Sequence, residues 1–103
     1  GVSFRVVDPA QSDMTMVDPT TMLQSWQYSK MAIRPGMIRQ FAHHLAHRWA
    51  ADGTPDVEVY AWTRASLNGR PYQQLVDPTV DLAAEPASLG TPSWVLPLEH
   101  PLP

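Results

Sequence analysis

Eleven prolines in a chain of 103 residues decide where regular structure can form. A proline has no backbone N–H to give to a helix or a ladder, and it pushes the residue before it toward extended backbone. Asp8-Pro9 closes a first strand that begins near Gly1, and Asp18-Pro19 closes a second extended run, Met14 to Val17. The two are expected to pair through a connection at Ala10 to Asp13. From Thr20 to Met31 the residues suit one or two short helical turns, with Thr20 or Ser25 as N-cap. From Glu85 onward, Pro86, Pro92, Pro97, Pro101 and Pro103 predict an extended strap over 85–103, anchored by Leu89 and Trp94.

Pro35 opens the clearest helix. At about 100° per residue, Met37, Ile38, Phe41, Leu45 and Trp49 fall on one arc, with Arg39, Gln40, His43 and His47 opposite. Proline at the first turn loses no hydrogen bond, and Gly53 is a good stop, so the helix should run from Pro35 to Ala51. One face is core and the other is expected to be solvated.

After Gly53 the period changes to two. Val57, Val59, Ala61, Thr63, Ala65 and Leu67 point one way, and Glu58, Tyr60, Trp62, Arg64 and Ser66 the other. The small aliphatic side should meet the helix. Tyr60 and Trp62 are too large and apolar for a simple wet surface, which predicts that more protein covers them. Asn68-Gly69 then sits between two strand-like runs, and both residues tolerate the positive φ of a type I′ hairpin turn. Asp77-Pro78 ends the returning run.

The segment Ser66 to Leu82, with its Ser-Leu-Asn-Gly-Arg and Asp-Pro-x-Val-Asp elements, resembles the C-terminal soluble portion of the vitamin K-dependent γ-carboxylase family. That family includes bacterial relatives with a horizontally transferred transmembrane domain. Supporting pieces are Val17-Asp18-Pro19, Gln27 with Lys30-Met31-Ala32, and the run Met37 to His43. The motifs are short, and the weight rests on their order and spacing from about Asp18 to Asp81. The resemblance implies a β-rich luminal or periplasmic region following a bundle of membrane helices. It marks Asn68, Gly69, Arg70, Asp77, Pro78 and Asp81 as motif residues. It also implies a parent that uses vitamin K hydroquinone, oxygen and carbon dioxide to carboxylate glutamate, with the base for that chemistry in the membrane part. The implied partners are an upstream transmembrane domain of the same chain and a polypeptide substrate.

Composition agrees with one domain cut from something larger. With 44% hydrophobic and 17% charged residues, 103 residues can bury about 65% of their extended surface around one core. Every apolar run is interrupted well before the roughly 20 residues that a membrane helix needs, and the start lacks a signal-peptide layout. Gly1 is therefore read as a fragment boundary. A net charge of −3 and six scattered arginines with one lysine make no basic stripe, which argues against nucleic acid and polybasic membrane binding. The absence of cysteine excludes disulfides and thiolate zinc sites without fixing a compartment.

Candidate chemistry is sparse. His43 and His47, four apart on a helix, have the spacing for two ligands to one metal. Two ligands do not make a site, and no glutamate follows His43 as a zincin would require, so no native metal is expected. His44 lies off their line near the core margin. Lys30, the lone lysine, invites a catalytic reading, but at a helix end it favours the local dipole. The aspartates before proline, Asp8, Asp18 and Asp77, are read as Asx-type turns rather than a calcium cluster.

These readings converge on an α+β domain: an antiparallel sheet with an Asn68-Gly69 hairpin, packed by the helix over 35–51, with short helical turns before it. The expected role is that of a soluble accessory domain of a γ-carboxylase-like membrane protein on the extracytoplasmic side. It would recognise a polypeptide or support the membrane catalytic region, holding no cofactor itself. The alternative is an interaction module of a membrane protein with unrelated chemistry. A free-standing enzyme is the weakest reading.

Overall fold

The computed structural model describes residues 1–66 and 71–97, the side chain of Trp26 excepted. Strands β1 (Val2–Asp8), β2 (Asp13–Val17) and β3 (Glu58–Thr63) form an antiparallel sheet in the order β2-β1-β3. Between them lie a 3-10 turn at Pro19–Thr21, helix α1 (Ser25–Met31) and helix α2 (Pro35–Ala51). A second 3-10 turn follows at Leu82–Ala84. The α+β reading holds, with the long helix on its expected residues.

The helix α2 places Ile38, Phe41, Ala42 and Leu45 in the core, with Met37 and Trp49 partly buried. The sheet answers with Val2, Phe4 and Val6 of β1 and Val59, Ala61 and Thr63 of β3, all on one face. Phe4 and Phe41 meet at the centre with ring centroids 5.0 Å apart. Gly53 ends the helix at φ 98°, a left-handed conformation that suits a residue without Cβ. Thr54 N–H then closes onto the Trp49 carbonyl at 2.9 Å.

Several expectations are corrected. Ser25 is the first helical residue of α1, and Gln24 is its N-cap, because the Gln27 side chain reaches back 3.1 Å to the Gln24 N–H. The 3-10 turn is capped by Asp18, with Thr20 inside it. The third strand ends at Thr63, with Ala65 in an isolated bridge to Gln73. Its ladder partner is β1, some 55 residues earlier in sequence, rather than the run after Asn68-Gly69. Pro71 removes one donor from that later run, and Leu75 and Val76 spend their N–H groups on the Thr63 hydroxyl instead of a ladder. The expected hairpin turn itself, Asn68, Gly69 and Arg70, lies outside the described residues, as does Leu67.

The strap is anchored by Trp94 but not by Leu89. Trp94 is buried, its carbonyl accepts from Asp77 N–H at 2.8 Å, and Leu96 N–H reaches the Leu75 carbonyl at 3.0 Å. Leu89 is fully exposed, because the chain turns at 88–90, where Gly90 N–H reaches the Ser88 hydroxyl. No helix among the described residues is long and apolar enough to cross a membrane.

Candidate functional site

The conspicuous surface is the outer face of the sheet, opposite the helices. The register sets Met16, Arg5 and Tyr60 in one row, Met14, Val7 and Glu58 in the next, and Ser3 beside Trp62. Side chains alternate along each strand, so these residues face outward because their neighbours fill the core. Met14 is 58% exposed, Met16 60% and Trp62 53%. Together with Arg5, Tyr60 and Thr79 they line a concavity of about 390 Å³. Large apolar side chains contiguous on one face are the usual mark of an interaction surface.

The face also carries a fixed polar cluster. Tyr60 donates its hydroxyl to Glu58 Oε1 at 2.8 Å, and the Arg5 guanidinium lies 4.9 Å from the Tyr60 ring centre. The bond to Glu58, with lesser help from burial, raises the phenol above its ordinary range. Tyr60 is therefore a neutral donor and ring platform at any physiological pH.

The motif aspartates perform structural work in the turns around the sheet. Asp77 Oδ1 accepts from Thr79 N–H at 2.9 Å and from the Thr79 hydroxyl at 2.7 Å. Asp18 does the same with Thr20, at 3.0 and 2.7 Å. Each carboxylate titrates below its ordinary value, the threonine hydroxyl being the largest cause and the backbone bond the next. Asp8 makes the backbone half of this arrangement with Ala10, which has no hydroxyl to add the rest. Pro78, half-buried, fixes the corner between Asp77 and Thr79.

Asp81 is placed differently. Its Oδ1 accepts from Val59 N–H at 2.8 Å and from Ala83 N–H at 3.0 Å. The carboxylate thus substitutes for a neighbouring strand along the edge of β3 while capping the 3-10 turn. Four residues further along β3, the buried Thr63 hydroxyl accepts from Leu75 N–H at 2.9 Å and Val76 N–H at 3.2 Å. In the sequence Thr63 is one more inward residue of the alternation. A hydroxyl on an otherwise aliphatic face was the signal that it had polar partners.

The histidines do not converge. His43 is half-buried, with Nε2 2.7 Å from the Glu85 carbonyl, and Arg39 reaches the same oxygen at 3.4 Å. This flank of α2 is therefore crossed by the start of the strap instead of being plain solvated surface. His44 is exposed and sets its ring 5.9 Å from Phe41. His47 is exposed one turn beyond His43. Among the described residues no three histidine or acidic side chains are grouped to hold a metal. Lys30 lies exposed in the last turn of α1. Buried Trp94 Nε1 has no hydrogen-bond partner among the described residues.

The family model for the vitamin K-dependent gamma-carboxylase, lumenal domain, matches residues 1–101. No curated protein and no solved structure matches the chain.

Proposed function

The chain belongs to the vitamin K-dependent gamma-carboxylase lumenal-domain family, and we propose that it is the polypeptide-recognising accessory domain of a γ-carboxylase-like membrane protein. The carrying observation is the outer sheet face, where the exposed Met14, Met16 and Trp62 line one concavity with Arg5 and Tyr60. An apolar face with a few placed polar groups suits a chain of alternating side chains. In this reading the vitamin K hydroquinone, oxygen and carbon dioxide chemistry belongs to the membrane part of the parent. The domain raises the local concentration of the polypeptide to be modified. It acts on the extracytoplasmic side, joined to an upstream transmembrane region of the same chain.

The test is kinetic and uses the parent protein with vitamin K hydroquinone and labelled bicarbonate. Trp62→Ser should raise KM for a long polypeptide substrate at least about fivefold with kcat unchanged, and leave a short glutamyl peptide unaffected, because uniform binding energy is lost. Equal effects on both substrates, or on neither, would remove the reading. The 103-residue chain alone should incorporate no label into a glutamyl peptide, and incorporation would show that the chemistry resides here after all.

A further inference from the structure

The sheet has one edge that its own chain closes and one that it leaves open. Gly1 and Arg64 exchange both backbone hydrogen bonds, which continues the β1–β3 register. In an antiparallel ladder such pairs alternate, so Ser3, Arg5 and Val7 bond across to β3, and Phe4, Val6 and Asp8 bond across to β2. Their partners in β2 are Val17, Thr15 and Asp13. The N–H and C=O groups of Met14 and Met16 therefore point away from the sheet. No described residue hydrogen-bonds to them.

Natural proteins guard such an edge with lysine, proline or a bulge. β2 has none of these within Asp13–Val17. Its two outward-bonding residues are also the two whose side chains stand exposed on the outer face. Charge then selects the occupant. Asp13 and Asp18 are exposed at the two ends of the edge. Asp13 also lies directly opposite Asp8 in the register, a like-charge pair that costs stability in the free protein. A second copy added antiparallel about Thr15 would bring the acidic ends of the two edges together. A chain with basic ends would neutralise them.

We propose that β2 takes up an extended polypeptide segment as a fourth, antiparallel strand, its sequence running basic, any, apolar, any, apolar, basic opposite Asp18 through Asp13. The apolar residues lie beside Met16 and Met14 on the outer face, and the backbone pairs with those same two residues. This rests on the polypeptide-recognition reading above and specifies its mode and register. Main-chain bonds supply the affinity and the acidic ends supply the selectivity.

The test titrates the 103-residue protein with the capped peptide Lys-Thr-Leu-Thr-Leu-Lys, followed by amide exchange and by the indole signal of Trp62. Near saturation, exchange at Met14 and Met16 should slow by about tenfold or more, while Asp13, Thr15 and Val17, already paired to β1, change little. A glutamate-flanked peptide should bind at least about tenfold more weakly. Asp13→Lys should weaken the lysine-flanked peptide and restore binding to a peptide with glutamate at that position, a rescue that simple damage to the fold would not produce. A shift of Trp62 without protection of Met14 and Met16 would overturn strand addition and leave the polypeptide reading standing. No response at either place would overturn both. Protection of Met14 and Met16 without peptide, with a dimer in sedimentation, would assign the edge to a second copy and overturn the proposal.

Discussion

The outer edge of β3 and the outer edge of β2 begin with the same backbone chemistry, donors and acceptors with no adjacent strand, and the chain finishes them in opposite ways. Along β3, Asp81 takes the N–H of Val59, Thr63 takes two N–H groups from the crossing segment, and Ala65 pairs with Gln73. Along β2, Met14 and Met16 are left to solvent. The closed edge carries stability and the open edge has little to lose. A buried donor without a partner costs about 1–3 kcal/mol, while an exposed one bonds to water.

Breaking the closed edge should therefore have the largest effect. Thr63→Val keeps the shape but strands the N–H groups of Leu75 and Val76, and should cost about 2–5 kcal/mol in urea melts. A loss below about 1 kcal/mol would mean that water reaches this edge and the contrast is false. Asp81→Ala leaves Val59 N–H unpartnered and uncaps the 3-10 turn, for an expected loss of about 1.5–3 kcal/mol. Asp81→Asn, which retains one acceptor oxygen, should recover part of it.

On the open side the expected changes are small and differ in sign. Ser12, in the turn that joins β1 to β2, sits at φ 54°, a conformation unfavourable to a residue with Cβ. Ser12→Gly should relieve more strain than it adds in unfolded-state entropy, a gain of about 0.5 kcal/mol that a thermal melt would register. The pair Met14→Ser with Met16→Ser should stay within about 0.5 kcal/mol of the parent chain, because neither side chain is in the core. A loss of several kcal/mol would show that the outer face is part of the folding unit.

The weakest effect concerns the Asp-Pro-Thr turns that the two sides share. Asp18 and Asp77 both titrate below their ordinary value of 3.8. A carboxylate depressed on folding adds stability above its unfolded pKa and loses it as pH falls through the folded one. The contribution of these two carboxylates should thus be constant from neutral to pH 5 and decline below about 4. Asp77→Asn and Asp18→Asn should each flatten that decline slightly and equally. Unequal effects would separate the two turns.

The helix from Pro35 to Ala51 was legible because its signals are local: proline at the first turn, an apolar arc, and glycine after the end. The inward row of β3 was legible for the same reason, since a period of two survives any choice of partner. Leu89 and Trp94 show where this stops. Both are large apolar residues between prolines, and only the pairing of the strap with residues 75–77 buries one and leaves the other outside.

By itself, then, the sequence determined the long helix, the first two strands, the inward rows and the resemblance to the gamma-carboxylase lumenal domain, since propensity, periodicity and motif order are properties of neighbouring residues. Tertiary structure alone decided that the N-terminal strand is central, that Asp81 and Thr63 seal one edge, that the strap crosses His43, and that β2 stays open. Those outcomes depend on contacts between residues far apart in the chain, where many pairings satisfy the same local pattern and only the packing of the whole core selects one.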